Sequence, residues 1–423
     1  MINDAIVACY NNILNSELIE ATGCTEPIAL ALVGAVGKAA LKEMPEKIEL
    51  YCSSNMIKNC KSVTVPNSGG IKGMEAAVLL GVIGGDCHNM LQVLSHITDK
   101  HREQLKEELA KNYVEANLIT NVPTLYILVK MIAKQHVVTV ELKNKHTHIS
   151  KVTKDDEVLF QQDDDVDLVV KHIDKSMLNL NDILDYGETA DLSEVKEALQ
   201  RQIDDNTAIS QEGLTNNWGE SVGKTIASTG NDVYTRAKAA AAAGSDARMN
   251  GCPMAVVINS GSGNQGMTVS LPIIEFAKEY NISQDKLYRA LAIGNLIAIY
   301  QKSFIGALSA YCGAVSAAAA AGCAIAWLQG CSREVIFDTL TNDIGSIAGM
   351  VCDGAKSSCA SKISLALEAA FMGLRMAKNK RVLRSGDGLI KENADATVEA
   401  IGTMAKEGMK STDKTIVEIM LEK

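Results

Sequence analysis

The stretch SFIGALSAYCGAVSAAAAAGCAIAWLQGCS, residues 303–332, runs for thirty residues between Lys302 and Arg333 without a formal charge. Its length alone would let it span a bilayer, which takes about 20 apolar residues. The stretch is diluted, however, by Ser303, Ser309, Ser316, Cys312, Cys323 and four glycines, and no second span accompanies it. It therefore reads as a buried central helix pair of a globular domain. A core rich in Ala and Gly lets helices approach closely but draws little buried area from each side chain. A long chain compensates by size.

Downstream of about Asn181 nearly everything reads as helical, including the Ala-rich run AKAAAAAG at 237–244. Only AVVINS at 255–260 looks extended. Upstream, residues 1–44 read as two helices, with Pro27 where the second begins. KIELYCSS from Lys47 and SVTVP at 62–66 suit strands. MEAAVLLGVIGG and the charged span 90–111 read as helices, followed by four strand-like runs from LYILVKMIAK to EVLFQQ. Asp163–Asp167 reads as a solvated acidic turn. The expected fold class is α+β. A mixed α/β domain spans 1–180, its helical start packing onto an all-α catalytic domain at 181–423.

At 423 residues the chain is long enough for two or three domains. Lys and Arg total 41 against 51 Asp and Glu, a net charge of −10. That balance excludes a dedicated nucleic-acid binder, which needs basic patches for phosphate. The eleven cysteines are odd in number, and MINDAIVACYNN lacks the features of a signal peptide. Reduced thiols in a cytoplasmic protein, with no membrane partner, are the expectation.

Four groups of residues are candidates for chemistry. Cys24, in Gly23-Cys24-Thr25-Glu26-Pro27, precedes a helix start, where the helix dipole favours a thiolate. The plainer reading is a capped helix with Thr25 as N-cap. Asn259 to Gly266 carries the spacing Gly261-x-Gly263-x-x-Gly266, but no β-α-β run or closing acidic residue supports a dinucleotide site. A backbone nest for a small anion fits better, with a weaker one at Pro66-Asn67-Ser68-Gly69-Gly70. On a strand, His146 and His148 would share a face and offer two metal ligands, although no third is evident. Cys312, Cys352 and Cys359 match no zinc-finger or ferredoxin spacing, yet the polar loop around 352–359 makes a poor core.

Together GCTEPIALA near the start, SQEGL at 210–214, SDARMNG at 245–251, NSGSGNQG at 259–266 and GMVCDGAKSSCA at 349–360 resemble the L-cysteine desulfidase family, which is related to the iron–sulfur L-serine dehydratases. The markers cover essentially the whole chain. The resemblance implies a [4Fe–4S] cluster held by Cys312, Cys352 and Cys359, with Cys24 as the base that removes the α-proton. It also implies a small amino-acid substrate touched by Glu26, Asn67, Ser68, His146, Thr147 and Ser260, Gly261, Ser262, Gly263 and Asn264, and a homodimer. The implied reaction is β-elimination of L-cysteine to pyruvate, ammonia and sulfide. L-serine dehydration by the same residues and a non-catalytic amino-acid-binding protein are the alternatives. No lysine context calls for pyridoxal phosphate. The chain departs from the family pattern at Asn67-Ser68-Gly69, where Gly-Thr is expected after Pro66, and at His148, where Asn is expected. Both departures bear on substrate identity.

Overall fold

The computed structural model describes residues 2–162, 174–306 and 309–421. The chain opens with α1 (Asp4–Glu17), β1 (Glu20–Thr22) and α2 (Thr25–Leu41), then β2 (Lys47–Cys52), α3 (Ser54–Cys60), α4 (Met74–Gly84) and α5 (Asp99–Ala110). Five strands follow: β3 (Val114–Leu118), β4 (Tyr126–Ala133), β5 (His136–Lys143), β6 (Ile149–Lys154) and β7 (Glu157–Gln161). Beyond them come α6 (Leu180–Thr189), α7 (Lys196–Thr215), α8 (Val222–Ala227), α9 (Val233–Met249) and the short β8 (Ala255–Val257). The last helices are α10 (Gly263–Glu279), α11 (Gln284–Ile305), α12 (Gly313–Leu328), α13 (Arg333–Ile347), α14 (Cys359–Lys378), α15 (Ala394–Thr403) and α16 (Lys410–Leu421). The fold is α+β. The acidic run Asp163–Asp167 lies outside the described residues.

Two hydrophobic cores organise these elements. The first lies under a six-stranded sheet of order β3-β2-β4-β5-β6-β7, parallel between β2 and β3 and antiparallel elsewhere. Alternate residues of β4 and β5, such as Ile127, Val129, Val138 and Val140, point into this core beneath α2 and α4. The two helices touch because Gly81 has no side chain: a Cβ there would sit 2.0 Å from the Ala31 carbonyl oxygen. The second core is all helical, and α12 runs through its middle with nearly every residue buried. At 16 residues α12 is about 24 Å long, short of a bilayer's hydrocarbon. Among the described residues no helix is long and apolar enough to cross a membrane.

The N-terminal segment divides between these cores. Tyr10, Ile13, Leu14, Leu18 and Ala21 join the helical core, whereas α2 joins the sheet core. The two helices expected over 1–44 form, but the first ends at Glu17, short of the expected Ala21, and Glu20–Thr22 becomes β1, which pairs antiparallel with β8. That pairing also removes the parallel crossover a dinucleotide fold requires. SVTVP at 62–66 is not a strand. It makes one isolated bridge, Thr64 to Lys72, and buries Val63 and Val65 in separate clusters, so it straps the two cores together. The helix expected over 90–111 starts only at Asp99, because Thr98 caps it with His101; Cys87–Gln92 is a 3₁₀ turn.

Asp343 of α13 is an anomaly in the helical core. It is fully buried and neither carboxylate oxygen has a hydrogen-bond partner among the described residues. Burial pushes its carboxyl well above the usual range. A folded-state pKa above the unfolded one gives stability that is full at low pH and lost as pH rises. Asp343→Asn keeps the shape without the ionisable group. Wild type is expected to lose stability relative to the variant by about 1.4 kcal/mol per pH unit across the window where only the folded form holds the proton. Denaturant melts of both proteins at pH 5 and pH 8 check this; parallel pH profiles would refute it.

Candidate active site between the two cores

Gly23 is where the chain leaves one core for the other. Its φ is +63°, and a Cβ would lie 2.1 Å from Pro66 Cγ, so only glycine fits the crossing. The next residue, Cys24, is the N-cap of α2 in extended conformation, which displaces the expected Thr25 cap by one position. Cys24 is thereby held at the seam, in a small cluster with Val63 and Met249 against which Ala355 and Cys359 pack.

A cavity of about 580 Å³ opens at this seam. Of the eleven cysteines, the four on its wall are Cys24, Cys312, Cys352 and Cys359. Local structure explains the last three. Cys312 is the N-cap of α12 and Cys359 is the first residue of α14, so two helix N-termini converge there. Cys352 is stapled beside Cys312 by a short ladder: Cys312 N–H donates to Met350 O at 3.0 Å, and Cys352 N–H to Ala310 O at 2.6 Å. Burial, reinforced by Cys352, pushes the Cys312 thiol up to about 12. Two lysines on the same wall supply positive charge. Burial pulls the Lys302 ammonium down to about 8 against the pull of Cys352 and Cys312. Lys362 is lowered by burial but held up overall by its ion pair with Asp353. Three thiols, two helix N-termini and two ammonium groups make a donor set suited to a soft, anionic iron–sulfur group.

Around Cys24 the electrostatics differ from the sequence expectation. The thiol is not lowered by the helix start: burial, then the Glu26 charge, push it well above its usual value. It donates to Glu26 Oε2 at 3.0 Å, and Thr25 Oγ1 donates to the same oxygen at 3.1 Å. Burial works to raise the Glu26 carboxyl, but His146 and the Cys24 thiol outweigh it and hold it at about 2. His146 Nε2 stands 3.9 Å from Glu26 Oε1, an ion-pair distance.

Glu26, His146, Thr147, Ser260, Gly261, Ser262 and Asn264 line the cavity. Asn259–Ser262 is no loose nest. Ser260 and Gly261 have φ of +50° and +76°, and Ser262 N–H donates to Asn259 O at 3.0 Å, which makes a type I′ turn ahead of α10. His146 and His148 do not share a strand face, since 144–148 is the turn joining β5 to β6. Three expected substrate contacts stand elsewhere. Asn67 donates to Leu94 O at 2.9 Å, and the Ser68 hydroxyl is closed into a turn with the Ile71 backbone; neither is on the cavity wall. Gly263 lies behind the wall, under the Arg248 side chain.

Arg248, Gln265, Lys302 and Lys362 are wall residues that carried no role in the sequence reading. Lys302 did leave a signal, as the one charge ending the long apolar run LAIGNLIAIYQK. Arg248 sat inside the marker SDARMNG without a distinguishing pattern.

Residues 88–418 match the family model described as serine dehydratase alpha chain. A UPF0597 protein of Lachnoclostridium phytofermentans is 48% identical over 97% of this chain and 98% of its own. Another from Finegoldia magna is 46% identical over 98% and 99%, and UPF0597 protein DSY1109 of Desulfitobacterium hafniense is 42% identical over 99% and 97%. This chain belongs to the serine dehydratase alpha-chain family, among its UPF0597 members.

Proposed function

We propose that this protein is a lyase that eliminates the β-substituent of a small L-amino acid, with L-cysteine as substrate and pyruvate, ammonia and sulfide as products. The observation that carries the reading is the gathering of Cys24, Cys312, Cys352 and Cys359 on one cavity wall. Cys312, Cys352 and Cys359 would hold a [4Fe–4S] cluster, with Lys302 and Lys362 balancing its charge. Such a cluster would supply Lewis-acid chemistry for the thiol leaving group. Cys24 removes the α-proton. It must first lose its own to solvent, a step that burial and the Glu26 charge oppose and the Arg248 charge favours. The Ser260–Gly261 turn and the N-terminus of α10 face the substrate carboxylate. Loss of the leaving group yields an aminoacrylate, which hydrolyses to pyruvate and ammonia.

The family match at residues 88–418 favours a second reading, loss of water from L-serine at the same site. The two substrates differ by one atom, which a pocket separates only modestly. The protein acts as a cytoplasmic homodimer in this proposal, with light scattering as the check on its mass. Anaerobic purification, iron and sulfide analysis, and turnover of both amino acids on one sample test the reading. About four irons per chain with pyruvate release are expected. No iron and no turnover after reconstitution would leave a non-catalytic amino-acid-binding protein.

A further inference from the structure

Arg248, in the last turn of α9, is only 3% exposed, and no carboxylate oxygen lies within 4.0 Å of it among the described residues. Every other described arginine is either exposed, like Arg381 and Arg384, or paired with Asp or Glu. The buried Lys58 likewise has Asp413. An uncompensated charge in a protein interior is costly, and such groups are kept where a partner arrives. The two carboxylates nearest in sequence or site stand beyond ion-pair distance of it, although one oxygen of Asp246 has no hydrogen-bond partner among the described residues. Asp246 accepts from Gly223 N–H at 2.8 Å, and Glu26 is engaged by Cys24 and Thr25.

The guanidinium is held in place rather than loose. Nη1 donates to Asn264 Oδ1 at 3.2 Å, while Nε is buried with no hydrogen-bond partner among the described residues. Gly263 makes room for it, since a Cβ there would stand 2.4 Å from Nε. The group thus rests on the first turn of α10, beside the turn Ser260–Gly261 and on the wall shared with Cys24. Its positive charge acts on the Cys24 thiol, opposing the effect of burial. The cluster-side charges are different residues, Lys302 and Lys362.

We infer that Arg248 is the anchor for the α-carboxylate of the ligand, and that it makes the cavity select small molecules with a free carboxylate on the reacting carbon. The inference rests on reading this cavity as an amino-acid site. A guanidinium offers paired donors that match a carboxylate, and here it would add to the helix N-terminus. Its place beside Cys24 suits a carboxylate one bond from the carbon whose proton is removed.

L-alanine and L-alaninamide separate this from the reaction itself, because neither has a leaving group. Calorimetric titration of anaerobically prepared protein is expected to show L-alanine binding, with the amide weaker by more than about tenfold. Arg248→Gln should weaken L-alanine by more than about tenfold and erase the preference, and Arg248→Lys should restore part of it. The ligand-free Arg248→Gln protein should melt no lower than wild type, whereas loss of a structural arginine would lower its Tm. Gly263→Ala, whose methyl displaces the guanidinium, should erase the preference as well, and it carries the test if Arg248→Gln does not fold. Equal binding of acid and amide by wild type, no binding of L-alanine, or an unchanged preference in the folded variants overturns the inference. Intact binding without turnover of cysteine or serine would sink the lyase and leave Arg248 in its role.

Discussion

Replacing Cys24 by alanine is expected to lower kcat by about 10²–10⁴-fold with iron content unchanged. The size follows from removing a general base while leaving the three thiols at Cys312, Cys352 and Cys359 in place. The substitution itself is small: Cys24 sits in a cluster with Val63 and Met249, and the backbone N-cap of α2 uses no Cys24 side-chain bond. The Cys24 thiol is raised by burial and by Glu26, so the wild-type rate should climb with pH on the limb it governs. That limb should vanish in the variant. Rates from pH 6 to 10, with iron measured on the same samples, decide it. A variant that keeps wild-type kcat would move the base elsewhere on the wall.

Cys352→Ala should reduce iron from about four per chain to near zero and abolish turnover. Cys352 is half-buried, and the ladder that seats it runs through backbone atoms alone, Cys352 N–H to Ala310 O and Cys312 N–H to Met350 O. The fold should therefore survive with a Tm close to that of cluster-free wild type. Cys323→Ala is the control: its thiol is buried in the helical core, 3.5 Å from Ile336 O and off the cavity wall. It should cost about 1 kcal/mol of stability and leave the iron in place. Iron retained in Cys352→Ala, or lost in Cys323→Ala, would break the assignment of ligands.

Much was legible in the amino-acid order because it depends on short-range periodicity. The alternation in residues 126–143 specifies strands with one inward face, and the charge-free run 303–332, read as a buried helix pair, supplies the end of α11 and the buried helix α12. The family resemblance carried by short markers, and not the cysteine spacing, singled out four thiols of eleven, and these four stand on one cavity wall. Errors gathered where local pattern competes with a distant partner. Ser62–Pro66 has strand composition but finds no neighbouring strand, so it became a strap. Asn67 and Ser68 looked like a second anion nest, yet Leu94 and Ile71 take their side chains.

The protein's own sequence thus determined most of the elements, which faces are apolar, and which family the chain belongs to, since each helix, strand and marker is written in a short local pattern. Tertiary structure alone decided the charges in the site. Cys24 reads as a promoted thiolate at a helix start, but burial and Glu26 reverse the sign. Arg248 reads as one basic residue in a helix, but the fold buries it with no carboxylate oxygen within 4.0 Å among the described residues. Desolvation and long-range pairing depend on what the fold brings across the seam, and no spacing along the chain records that.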